Sequence, residues 1–384
     1  MSRRSLWYTR WMNERPRFAP GHIVHEIPPG PDNPRNSEGS FLTLRDGTIL
    51  FAYSRFRGNE ARDDAPSDIA GCVSADGGAT WHTSGMLVSA AEHGTDNLMS
   101  VTLMRMHDGS VGLFYLVRAS GNDLRYYYRR SFDEGKSWGT AQCCTEPPGY
   151  YVVNNDRTVR LSDRRLVVPA AFHRNGLKRS AVGARNSELR FRFDPRATSL
   201  FFLSDDDGET WRESRSTCSL PFGRNSRSGL QEPGVIELAD AVLWAWARTD
   251  LGVQYEMFSV NGGETWTPPE PSRFTAPQSP LSAKRVPGSG CIVAVWNPIP
   301  NYNGRSQHAS GVWTGGRTPL VLASSCDEAR SWSDPVTIEE DGGRGFCYVA
   351  MHFTENALLL AYCAGGAEDG GCLNRLRLRS VPLE

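Results

Sequence analysis

Apolar and polar positions along this chain alternate in short bursts separated by turn residues. "FLTLRDGTILFAYS" (41–54) sets the form, with an apolar-rich run, a D-G turn and a second apolar-rich run. The form returns in "VTLMRMHDGSVGLFYLV" (101–117), "TVRLSDRRLVVPAAF" (158–172), "VIELADAVLWAWA" (235–247), "CIVAVWN" (291–297) and "VAMHFTENALLLAYC" (349–363). Runs this short, rich in Val, Leu and aromatic residues and broken at D-G, S-D or E-N, predict strands paired in hairpins rather than helices.

A second pattern lies between the hairpins. S-x-D-x-G-x-x-W starts at residues 74, 131, 204, 259 and 325, with Asn261 in place of Asp in the fourth copy and Ala329 in place of Gly in the fifth. The Ser and Asp side chains suit hydrogen bonds to a tight turn, Gly permits positive φ, and Trp offers a large apolar face to bury between neighbours. The boxes are staples and carry no chemistry. Six hairpins and five boxes predict an all-β chain, a six-bladed β-propeller of four-stranded antiparallel blades forming one domain over residues 1–384. "GHIVHEI" (21–27) and "NRLRLRSVPLE" (374–384) both alternate like strands, so one terminus is expected to complete a blade begun by the other. The Pro-rich "TPPEPSRFTAPQSP" (267–280) reads as a long connection between blades.

Composition narrows the partners. Thirty-eight Gly and 24 Pro accord with many turns. Formal charge is -1, with 42 basic and 43 acidic residues interspersed, which argues against nucleic acid and membrane surfaces; an anionic ligand has to be met by a local cluster. No signal-like apolar run follows Met1, which leads us to expect a cytoplasmic protein. Nine cysteines without a C-x-x-C pair are expected to be free, mostly buried thiols. The eight histidines show no metal spacing, and neither metal nor cofactor is expected.

In a propeller, the segments that lead into the innermost strands ring one mouth of the axial channel. Here they are "RNSEG" (35–39), "TDNLMS" (95–100), "NNDR" (154–157), "LQEPG" (230–234), "SPLSAKR" (279–285) and "GFCYVA" (345–350). Charged and amide side chains recur there, immediately ahead of apolar strands.

With these segments the chain resembles the sialidase (neuraminidase) superfamily, whose Asp boxes match the staples. The resemblance runs from about residue 30 to 365. It implies a retaining exo-glycosidase acting on a terminal sialic acid or a related 2-keto-3-deoxy acid, with an acidic glycan as partner. "QEPGVIELADAVLWAWAR" resembles the segment that supplies a Glu base and a carboxylate-binding Arg, which implies Glu232 and Arg248. "GGRTPLVLASSCDEARSW" implies Arg317 as a second arginine, and "GFCYVAMHFTENALLLAYC" implies Tyr348 as nucleophile. "RDDAPSDIAGCVSADGG" resembles the loop of the acid/base Asp; its D-A-P favours Asp64, with Asp63 and Asp68 as rivals. The first arginine of the family usually stands in R-I-P; "RNSEG" occupies that place, so Arg35 is the candidate and Glu38 an added carboxylate. Asp96, Asn155 and Arg157 are further candidates for sugar contacts, as are Arg55 and Arg57.

These residue types suit the reaction. Guanidinium groups hold a carboxylate bidentately and keep their charge at any working pH. A neutral phenol avoids the repulsion that a carboxylate nucleophile would meet at an anomeric carbon bearing a carboxylate, and sialidases depart from the two-carboxylate scheme in this way. An acid/base Asp needs a raised pKa to protonate the leaving oxygen. Two rival classes fit less fully: a glycosidase or lyase acting on uronic acids, and a non-catalytic glycan-binding propeller.

Overall fold

Strands group in fours, and the foreseen hairpins supply part of each group. The computed structural model describes residues 16–182, 186–221, 223–224, 226–299 and 316–383, with the side chains of 176–192 excepted. Apart from three short 3-10 turns, the regular elements among these residues are strands, so the fold is all-β. No helix among them is long and apolar enough to cross a membrane.

The first unit is Asn36–Thr43, Ile49–Phe56, Ser67–Ser74 and His82–Val88, paired antiparallel in order. The second begins with Asn97–Arg105, the fourth with Gln231–Glu237 and the fifth with Ser282–Arg285. The sixth is composite. Cys347–Phe353, Ala357–Cys363 and Leu376–Pro382 follow one another, and His22–Ile27 from the start of the chain pairs on the outside. The first three units share one sheet, but single parallel pairs, Ser67↔Asn97 and Tyr150↔Leu124, are the links between them.

The third unit departs from the expected hairpin. Its inner strand is split into Tyr150–Val152 and Val159–Arg160, and its next two strands are long, Leu166–Val182 and Asn186–Ser204, paired through Val182↔Asn186. The apolar alternation that marks this hairpin stops at Phe172, where His-Arg-Asn-Gly follows, so the pattern alone stops short.

The core is divided among the contacts between units. Leu50 and Leu113 lie between the first and second, Phe114 and Phe202 between the second and third, and Leu203 and Met257 between the third and fourth. Trp246 and Trp296 join the fourth to the fifth, and Val293 and Leu360 the fifth to the sixth. A further cluster, with Phe51, Trp81 and Leu359, joins the sixth to the first. Each box anchors one of these contacts. In the third box Ser204 Oγ donates to Asp206 Oδ1 at 2.8 Å, Gly208 N and Thr210 N donate to Ser204 Oγ and Asp206 Oδ1, and Trp211 Nε1 donates to Gly208 O at 2.9 Å. Trp211 thereby meets Phe114 and Tyr128 of the preceding unit, as Trp266 stacks on Phe201 at 3.9 Å and Trp332 meets Trp244 at a tilt. The two irregular boxes keep the bonds: Thr265 N donates to Asn261 Oδ1, and Ala329 N to Ser325 Oγ, both at 3.0 Å. Ala329 itself takes φ 64°, the left-handed conformation in which Gly stands elsewhere.

One expectation about cysteine is corrected. Cys291 and Cys326 are joined by a disulfide with Cα atoms 4.2 Å apart, while seven others are free thiols. Cys291 directly precedes Ile292, whose register partner is Ser325, so the antiparallel pairing brings the two sulfurs face to face. A separation of 35 residues with no motif concealed that neighbourhood.

Candidate active site

Four of the inner strands carry a β-bulge near their start, and each bulge holds a non-glycine residue at positive φ. These are Glu38 (φ 57°), Ser100 (φ 60°), Glu232 (φ 48°) and Tyr348 (φ 58°), at register shifts following Ser37, Met99, Gln231 and Cys347. Asp156 (φ 56°) holds the corresponding conformation in the split strand. A left-handed non-glycine residue costs on the order of 1–3 kcal/mol, and such strain collects where a side chain has to be aimed. Here the repeated bulge re-aims two carboxylates and a phenol, and three of the residues come together.

Tyr348 Oη donates to Glu232 Oε1 at 3.0 Å. Arg248, at the far end of the strand opposite Gln231, reaches both: Nη1 lies 2.9 Å from Glu232 Oε2 and 3.4 Å from the phenol oxygen. Its Nη2 donates to Gln231 Oε1 at 2.6 Å, which fixes the guanidinium plane. Burial, and after it the charge of Glu232, raises the Tyr348 pKa well above its ordinary value, against the opposing pull of Arg317 and Arg248. The resting phenol therefore keeps its proton, and Glu232 is placed to accept it. Arg317 lies over the Tyr348 ring at 5.2 Å, donating to Cys347 Sγ and to Gln278 O. It forms no ion pair among the described residues, so its charge remains available to an anion.

Arg35 is fully buried, stacked on Phe56 at 4.4 Å and bonded to Ser37 Oγ. Its Nη1 meets Asp63 Oδ1 at 2.6 Å, and Nη2 lies 3.5 Å from Glu38 Oε1. Of the three aspartates weighed from sequence, Asp63 faces the arginines. Asp64 pairs instead with Arg62, whose Nε lies at 3.1 Å. Asp68 is buried with Arg57 and the backbone N of Ala90. The Asp63 carboxyl is pulled in two directions: burial raises its pKa, but Arg35 chiefly, helped by Arg118 and Arg317, holds it below the ordinary range. Burial outweighs Arg35 at Glu38, with Asp63 and Glu232 adding repulsion, and its pKa is pushed up to about 7.

The remaining candidates lie elsewhere. Asn155 is a brace: its amide donates to Gly39 O at 2.8 Å and Tyr348 O at 3.2 Å, supporting the Tyr348 bulge from behind. Asp96 is exposed, and its backbone carbonyl accepts from Ser67 N. Arg157 donates to Leu281 O and lies over Trp246, deeper along the inner strands than the Tyr348–Glu232 pair. Gln231, Gln278 and Arg118 went unnoticed in the sequence. Gln231 and Gln278 are hydrogen-bonded to each other and to Arg248 and Arg317 respectively. Gln231 alone carried a signal, its position beside Glu232.

Comparison with known proteins agrees with this architecture. Residues 47–360 match the BNR repeat-like domain family, and the chain belongs to that family. Similar solved structures include a protein of unknown function from Dyadobacter fermentans (17% identity, TM-score 0.66, covering 94% of this chain and 99% of that one). The NanB sialidase from Streptococcus pneumoniae is 14% identical with a TM-score of 0.62, covering 95% of this chain and 70% of that one. The Trypanosoma rangeli sialidase is 16% identical with a TM-score of 0.61, covering 91% of this chain and 54% of that one. These likenesses are of fold. No curated protein matches the chain by sequence.

Proposed function

We propose that the chain is a retaining exo-glycosidase that removes a terminal sialic acid or a related 2-keto-3-deoxy-ulosonic acid from glycans. The observation that carries this reading is the buried Tyr348–Glu232 hydrogen bond with Arg248 bridging both partners. The sialidases among the structural neighbours support it. We further read the six units as blades of one closed six-bladed propeller, a single domain. The Trp81 cluster between the last unit and the first supports closure. So does Asp156, which accepts from Ser40 of the first unit, Lys284 of the fifth and Met351 N of the sixth.

In this scheme Arg35, Arg248 and Arg317 receive the substrate carboxylate. Glu232 takes the phenol proton as Tyr348 Oη attacks the anomeric carbon, and the bond to the leaving oxygen breaks as Asp63 gives that oxygen a proton. Asp63 then removes a proton from water, which displaces Tyr348 by attacking the face that the leaving oxygen vacated, and Glu232 returns the proton to the phenol. The acid/base role thus moves from Asp64 to Asp63. Arg35 holds Asp63 ionised in the free protein. An incoming carboxylate that engages Arg35 weakens that hold and lets Asp63 take up the proton it has to deliver.

The test is release of a fluorophore from an α-linked N-acetylneuraminic acid glycoside, with NMR of the first-formed anomer. Release with the α-anomer first supports the reading. A β-anomer first, or an unsaturated product absorbing near the ultraviolet edge, rejects it in favour of inversion or a lyase.

A further inference from the structure

A cavity of about 240 Å³, axial on the closed-propeller reading, is lined by residues that come late in the inner strands, Leu103 and Met104, Val235 and Ile236, and Lys284 and Arg285. Val235 and Ile236 follow Glu232 by three and four residues, which sets the cavity roughly 10 Å further along the strand than the Tyr348–Glu232 pair. Arg35, Arg248, Arg317, Glu232 and Tyr348 do not line it. It is far larger than a single water requires.

Its walls are of two kinds. Leu103, Val235, Ile236 and Trp246 form an apolar side, each less than a tenth exposed. Four cations form the other. Lys284 is paired with Asp156 at 3.0 Å, Arg160 with Asp207 at 2.8 Å and Arg285 with Glu328 at 2.7 Å. Arg157 has no carboxylate partner among the described residues. It is 4% exposed; Nη2 donates to Leu281 O at 2.7 Å, and the buried Nε finds no acceptor among the described residues. Burial pushes its pKa down to about 10. A buried unpaired guanidinium is costly, and the cost is relieved when an anion completes it.

We propose that this axial cavity is a second binding site, for a small monocarboxylate whose anionic end pairs with Arg157 and whose apolar body lies against Leu103, Val235, Ile236 and Trp246. Arg157 is the one of these four cations without a carboxylate in direct contact, which suits a ligand of single negative charge, and its planar donor set suits a carboxylate. The proposal is independent of the glycosidase reading.

Saturation-transfer NMR with butyrate, butanol and chloride as probes tests it on the full chain. Butyrate is expected to bind saturably below about 10 mM, butanol not at all, and chloride to compete weakly. Arg157→Met is expected to weaken butyrate at least about tenfold, with Arg157→Lys recovering part of the loss. Arg317→Ala, which disables the catalytic arginines, is expected to leave it unchanged. Should Arg157→Met fail to fold, Val159→Asp at the half-buried rim adds a repelling carboxylate and is expected to abolish the signal. Equal binding of chloride and butyrate, loss of butyrate in Arg317→Ala, or full binding by Arg157→Met or Val159→Asp would overturn the proposal, as would no saturable signal.

Discussion

Arg35 Nη1 stands 2.6 Å from Asp63 Oδ1, while the adjacent Asp64 points away to Arg62. One residue along an exposed loop thus separates a carboxylate paired with the buried Arg35 from one paired with the exposed Arg62. Asp63→Asn is expected to lower kcat on a glycoside with a poor leaving group by about 10²–10⁴, and far less on one with a good leaving group, since the acid is needed only where the leaving oxygen needs a proton. Asp64→Asn is expected to stay within about twofold of wild type. Steady-state kinetics on both glycosides decide; equal losses in the two variants would return the role to the loop as a whole.

The periodic parts of this molecule were legible in the sequence. Short alternating runs located the hairpins, and S-x-D-x-G-x-x-W located the turns, because both follow from local geometry repeated many times. Glu232, Tyr348, Arg248 and Arg317 were named through the resemblance of their segments to the sialidase family, and the fold brings the four together. What escaped depends on the backbone between. Asp63 and Asp64 are indistinguishable in "RDDAP" until the loop fixes which side chain meets Arg35. The bulge that aims Glu38, Glu232 and Tyr348 has no composition of its own, since non-glycine residues hold its positive φ. The Cys291–Cys326 bond was invisible because strand register brings its sulfurs together.

Glu38 predicts a pH-dependent stability. Its pKa rises from 4.5 to about 7 on folding, because burial outweighs the attraction of Arg35. Between those values the folded protein binds more protons than the unfolded chain, so this contribution is full below pH 4.5 and is lost as pH rises through 7. Glu38→Gln is expected to be more stable than wild type at pH 8, by up to about 3 kcal/mol, and nearly equal to it at pH 5. Urea unfolding at the two pH values measures the difference. Parallel behaviour of the two proteins would show that Glu38 is not the group responsible.

The fifth box offers a simple stability test. Ala329 occupies the left-handed conformation that Gly holds in the other four boxes, at φ 64°. Ala329→Gly is expected to gain about 1 kcal/mol, since Gly lacks the Cβ clash. Asp206→Ala, which removes the acceptor of Ser204 Oγ and Thr210 N, is expected to lose about 1–2 kcal/mol. Thermal denaturation of both variants checks the sign; a destabilised Ala329→Gly would mean that the turn tolerates Ala without strain.

The central claim is that Tyr348, with Glu232 as its base, forms the bond to the sugar. The most direct measurement is intact-protein mass spectrometry after exposure to 2,3-difluorosialic acid, followed by peptide mapping, with Tyr348→Phe alongside. The account predicts a single sugar adduct on Tyr348 and none in the variant. An adduct on another residue, or one that forms equally in Tyr348→Phe, would contradict it.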